Sequence, residues 1–132
     1  MDDNLAGSAL LTGAATPLEL AALIAGASHD GVIWSHTSDQ FNLNLLRFRR
    51  ADGVPVHRNG EVDVLIIVLA GEGVISLEGQ QQPVATGSIV LIPRGAERSI
   101  TAASEQFAYL SCHQRRAGLM PTMPAAADAT RG

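Results

Sequence analysis

The hydrophobic pattern of the chain changes period once. Between Thr16 and Ala27 apolar residues recur at helical spacing, placing Leu20, Leu23, Ile24 and Ala27 on one face. Thr16-Pro17-Leu18-Glu19 gives a start signal, with a threonine to cap, a proline at the first helical position and a glutamate that completes a capping box. This predicts one helix over 16–27, ending by Gly26 and the Gly31 region. From Val32 onward the apolar runs are short or alternating and are punctuated by Gly, Pro, Asn and Asp, which is the pattern of strands. The predicted strands are Val32–His36, Phe41–Arg49, Val62–Leu69, Gly73–Leu77, Gln81–Ala85, Ser88–Ile92, Arg98–Ala102 and Phe107–Gln114. Glu78-Gly79 sits where a tight hairpin needs positive φ, and Gly71-Glu72-Gly73 and Pro93-Arg94-Gly95 are further turn signals. About eight short strands after one helix describe an all-β sandwich or barrel. A single domain over 16–116 is expected, with 1–15 as an N-terminal arm and 117–132 as a C-terminal tail rich in Ala, Pro and Thr.

One strand bears on assembly. Val64, Ile66 and Val68 alternate with Leu65 and Ile67, so this strand is apolar on both faces and needs cover on both. The outer cover is a helix, a terminal arm or a second subunit, and a homodimer is the expected solution.

Charge narrows the partners. The 132 residues carry a net charge of −4, and all 9 basic residues are arginine. That balance argues against nucleic acid and against an anionic membrane surface. The longest unbroken apolar run, Val64 to Ala70, is far short of the roughly 20 residues a membrane span needs. The opening Met1-Asp2-Asp3 is acidic where a secretory leader is basic. Cys112 is the only cysteine, which excludes an internal disulfide and a cysteine zinc site, and its parity with Ala108 and Leu110 makes it a small buried apolar residue. A cytoplasmic setting is expected.

Two segments carry a more specific signal. Residues 53–71 read GVPVHRNGEVDVLIIVLAG and residues 87–98 read GSIVLIPRGAER. Together they resemble the two signature motifs of the cupin superfamily. The first of those has a glycine, a His-x-His pair, a glutamate and a glycine seven residues later; the second has glycine, five residues, Pro-x-Gly, two residues and a histidine. Gly87, Pro93 and Gly95 match the second motif at full spacing, and His57 and Gly71 match the first. The resemblance covers roughly residues 41 to 114 and implies a double-stranded β-helix, a jelly-roll barrel here preceded by one N-terminal helix, whose interior opens at one end into a ligand pocket.

In most cupins three histidines and one glutamate hold a divalent metal in that pocket. Here Asn59 stands at the second histidine, Val64 at the glutamate and Arg98 at the last histidine, leaving only His57. An amide is a weak ligand, valine cannot bind a metal and arginine brings positive charge, so the expectation is no metal at the usual site. Were a divalent metal bound, its ligands would be His57 with Glu61, Asp63 or His113. In their place, strand parity offers Asn42, Asn44, Leu46 and Phe48 on one face of an early strand and Phe107, Tyr109, Ser111 and His113 on one face of the last. Facing inward, these sets join His57, Asn59 and Arg98 in a hydrogen-bonding pocket around one guanidinium, suited to a small polar or anionic ligand.

Each residue also has a plainer reading. Arg98 is either that cation or a surface charge paired with Glu97 or Glu105; His57 is either functional or a structural histidine near a turn. Asn42 and Asn44 face either a polar interior or solvent. Glu61 and Asp63 read as solvated loop carboxylates, and Trp34 with His36 as a core or interface pair. The leading expectation is a stand-alone cupin that binds a small metabolite. If it catalyses, proton transfer fits these residues, as in isomerisation, epimerisation, cyclisation or elimination. His57 would be the acid or base, Arg98 the anion clamp, Tyr109 or His113 a second proton donor, and Asn42, Asn44, Asn59 and Ser111 binding groups. The alternatives are a metal-dependent oxygenase or isomerase with unorthodox ligands, and a non-catalytic ligand sensor or carrier.

Overall fold

A computed structural model describes residues 17–115; the predicted arm, the tail and the capping Thr16 lie outside the described residues. One helix, α1 (Leu20–Ala25), precedes nine strands: β1 (Gly31–Thr37), β2 (Phe41–Phe48), β3 (Gly53–His57), β4 (Val64–Ala70), β5 (Glu72–Leu77), β6 (Gln80–Ala85), β7 (Ile89–Ile92), β8 (Arg98–Ala102) and β9 (Phe107–Gln114). They form two antiparallel sheets, ordered β1-β2-β9-β4-β7 and β3-β8-β5-β6. All eight predicted strands are present, with ends shifted by at most two residues.

Two expectations are corrected. The helix is six residues long instead of spanning 16–27, and Glu19 caps it through backbone alone, with no side-chain hydrogen bond. Leu20, Leu23 and Ile24 do form its packed face, against Trp34, Leu45 and Ala108 on the outer side of the larger sheet. The short helix is held by this packing, because so few residues cannot sustain a helix alone. The second correction is β3, which the pattern conceals because Pro55 lies inside it. Proline lacks the N–H a central strand needs, but β3 is an edge strand, and its register to β8 shifts between Val54 and His57, around the proline.

The turn at Glu78-Gly79 behaves as predicted. Leu77 pairs with Gln80, and the two turn residues have φ of 48° and 81°, the doubly positive pair that a two-residue hairpin turn requires.

The core lies between the sheets. Leu46, Phe48, Val64, Ile66, Val68, Phe107 and Tyr109 from the larger sheet meet Val54, Ile75, Val84, Ile100 and Ala102 from the smaller. The parity sets predicted on β2 and β9 therefore point inward, and Val64, Ile66 and Val68 supply the buried face of β4. On the other face of β4, Leu65, Ile67 and Leu69 are partly covered. Among the described residues no helix is long and apolar enough to cross a membrane.

Candidate functional site

At one end the interior stops being apolar. β2 and β9 pair Asn42 with His113, Asn44 with Ser111 and Leu46 with Tyr109, so one register step divides the polar rows from the apolar core. Asn44, Ser111 and His113 are buried. On the facing sheet, β3 and β8 bring His57 opposite Arg98. Arg98 is 1% exposed and is among the largest fully buried side chains, which excludes the surface-charge reading. Desolvation pulls its pKa down from the ordinary arginine value. Its NH1 donates to the Ala96 carbonyl at 3.1 Å.

Two further side chains are aimed by backbone. His57 Nδ1 lies 2.9 Å from the Pro55 carbonyl, which only accepts, so that nitrogen carries the hydrogen and Nε2 is directed elsewhere. Asn59 is buried beyond β3; its Oδ1 accepts from the Glu61 N–H at 3.0 Å and its carbonyl accepts from Gly95 N–H at 2.7 Å. The amide Nδ2 is left over. Within the protein, His57 Nε2, Asn59 Nδ2, Asn44 Nδ2 and the Ser111 hydroxyl are buried without a hydrogen-bond partner. Each such atom costs about 1–3 kcal/mol unless water or a ligand meets it.

The other predicted residues divide. His113 is part of a chain in which Thr37 Oγ1 donates to Asn42 Oδ1 at 2.9 Å, Asn42 Nδ2 meets His113 Nε2 at 3.4 Å and His113 Nδ1 meets the Gln114 carbonyl at 3.1 Å. Both nitrogens are engaged, so His113 holds Asn42 in place and is poorly set up as a proton donor to a ligand. Tyr109 lies deeper, its ring 5.6 Å from Phe107 and 6.3 Å from Phe48. Glu61 and Asp63 are exposed, and Asp63 Oδ1 accepts from the Arg94 N–H at 2.8 Å. Thr37, Pro55 and the Glu61 amide are contributors that the sequence reading missed, and the latter two act through backbone atoms, which leave no trace in side-chain type.

A cleft of ≈ 510 Å³ opens between the edge strands β1 and β3, with Leu46, Phe48 and Val54 among its lining and Asp30 and Asp52 at its lip. The polar rows continue from it, since Asn44 is two residues from Leu46 along β2 and His57 two from Pro55 along β3. A larger groove of ≈ 630 Å³ lies on the outer face, at Phe41, Leu65, Leu91 and Cys112, away from this chemistry. Burial there pushes the Cys112 thiol pKa up, as for an inert thiol.

The model of the cupin domain matches residues 45–112, which is more than half of the chain. The chain belongs to the cupin family. Solved cupins share its architecture. KdgF from Halomonas sp. superimposes with a TM-score of 0.57 at 17% identity, over 63% of this chain and 76% of that one. A cupin protein from Bacteroides fragilis gives 0.55 at 22% identity, over 64% and 73%. An RmlC-like cupin with a double-stranded β-helix fold from Methanocaldococcus jannaschii gives 0.55 at 20%, over 59% and 72%. At these identities the likeness establishes the fold alone. No curated protein matches the chain.

The family's usual metal does not fit this cupin's donor set. Val64 is a fully buried apolar residue and Arg98 places a guanidinium opposite His57. Asn59 Oδ1 is already used by Glu61 N–H, Asp63 is turned to Arg94, and both His113 nitrogens are engaged. Among the described residues no three His, Cys, Asp or Glu side chains gather closely enough to hold a cation.

Proposed function

We propose that this cupin binds a small polar or anionic metabolite at the polar end of its barrel, using its own side chains where most cupins use a metal. The observation that carries this reading is the buried guanidinium of Arg98 beside buried polar atoms that the protein leaves unmatched. Burying a cation is costly, and an incoming anion offsets that cost while its oxygens meet the open donors. The cleft between β1 and β3 is the approach. If the bound molecule reacts, the step is a proton transfer at His57 Nε2, as in isomerisation, cyclisation or elimination. Tyr109, His113, Asn42, Asn44 and Ser111 then shape the site and do not carry the proton. A single cysteine and an acidic chain suit a cytoplasmic protein.

A thermal-shift screen of small carboxylates and sugars tests this. Ligand at about 100 times its Kd adds about 2.7 kcal/mol of stability, a rise of several degrees. A screen in which neither class raises the melting temperature would count against the reading. Elemental analysis of protein purified without chelator or nickel resin is expected to find far less than one equivalent of iron, zinc or manganese. A stoichiometric metal that His57→Ala removes would overturn it.

The same proposal includes a homodimer through the outer face of the larger sheet. Helix α1 covers that face at Leu45 and Ala108, but Phe41, Ile89 and Leu91 are 54%, 63% and 59% exposed around the outer groove. The rim is charged in both signs, with Arg115 near Asp39 and Arg94 beside Asp63, as a two-fold contact of one patch with itself requires. Light scattering is expected to give twice the 13.8 kDa chain mass for the native protein and the monomer mass for Leu91→Glu. A native monomer would show that the face is covered otherwise.

A further inference from the structure

We infer that the ligand is a hydroxycarboxylate, whose carboxylate meets Arg98 and Asn59 and whose hydroxyl donates to Nε2 of His57. This rests on the reading that the barrel takes a small anion. It comes from the hydrogen-bonding sense of the atoms left open, two of which are fixed by backbone contacts.

The Asn59 amide has one possible orientation, because its Oδ1 is the acceptor for Glu61 N–H at 3.0 Å. The open Nδ2 can only donate. His57 has one possible tautomer when neutral, because Nδ1 must donate to the Pro55 carbonyl at 2.9 Å. The open Nε2 then carries a bare lone pair and can only accept. Asn44 Nδ2 is a further open donor, and the Ser111 hydroxyl serves in either sense.

A plain carboxylate, or a fully ionised phosphate or sulfate, satisfies the donors and the guanidinium but presents no hydrogen to His57 Nε2. It would leave a buried acceptor unmatched or require an imidazolium opposite Arg98. A neutral polyol supplies hydroxyl hydrogens but brings no charge to the buried cation. A hydroxyl and a carboxylate on one small molecule meet both demands. The same contact would place a hydroxyl hydrogen on the one nitrogen free to receive a proton.

The test uses probe pairs that differ by one hydroxyl, malate against succinate and lactate against propanoate, measured by calorimetry on the full chain. The hydroxylated member of each pair is expected to bind about 10- to 100-fold more tightly, the discrimination typical of a buried hydrogen-bonding group. His57→Phe should bring the two members of a pair together. Asn59→Asp keeps the acceptor for Glu61 N–H but opposes any carboxylate, so it should weaken both members alike and preserve their ratio. Equal binding within each pair, or a preference that survives His57→Phe, overturns the hydroxyl contact while leaving the anion site standing. An Asn59→Asp protein that binds both members as the native protein does overturns the placement of the carboxylate. If no member of either pair binds, the anion site fails together with this inference.

Discussion

Arg98→Met is expected to weaken binding of a small carboxylate about 10- to 100-fold, since a charged hydrogen bond contributes about 1.5–3 kcal/mol and each 1.4 kcal/mol is tenfold. Stability should move far less. The guanidinium is 1% exposed, so folding already bears the cost of removing it from water, visible in the lowered pKa. Methionine is unbranched and of similar reach, and an apolar replacement of a buried ion is often neutral or stabilising. The opposing loss is at the Ala96 carbonyl, which gives up the NH1 donor at 3.1 Å. The net change in unfolding free energy should lie within about 2 kcal/mol of zero. Calorimetry and urea unfolding of the two proteins separate the effects. Unchanged affinity in the variant would mean that the buried arginine only fills the barrel.

How much of this was readable in the sequence depends on whether backbone or side chain carries the information. The parity of β2 and β9 grouped Asn42 and Asn44, and likewise Ser111 and His113, but parity alone does not say which face is inside. β4 removed the usual clue, because Val64 and Ile66 are as apolar as Leu65 and Ile67 beside them. The inward face is fixed by cross-strand register, where His113 meets Val64 and Ser111 meets Ile66. Arg98 was ambiguous because Glu97 and Glu105 lie close in sequence. In the fold the Glu97 carboxylate is 3.9 Å from Arg58 and the Glu105 carboxylate 3.4 Å from Arg50, so Arg98 turns inward without them. The orientation of His57 was invisible, being set by a carbonyl within a strand that Pro55 disguised.

Gly71→Ala is expected to be the most damaging small substitution in the chain, at about 3–5 kcal/mol, out of a typical total of 5–15 kcal/mol. Gly71 turns the chain from β4 into β5 with φ of +77°, where an L side chain is strained by about 1–2 kcal/mol. The added Cβ would also stand 1.8 Å from the Gln106 carbonyl oxygen and 2.6 Å from Ser104 Oγ. The first of these is backbone and cannot swing aside. Gly79→Ala isolates the conformational part, because Gly79 has φ of +81° and open space around its Cβ position. Melting temperatures should therefore fall by roughly 10–20 °C for Gly71→Ala and by no more than about 5 °C for Gly79→Ala. Equal losses would show that contact with Gln106 is not what demands glycine. Gly71 also stands seven residues after Val64, on the glycine that closes the first cupin motif. The motif thus holds two kinds of position that are separable by experiment. Gly71 is held by the steric demands of the barrel itself. Asn59, Val64 and Arg98 sit where ligand chemistry is decided and were free to depart from the metal-binding pattern, so Gly71→Ala should fail by unfolding and Arg98→Met by losing its ligand while folded.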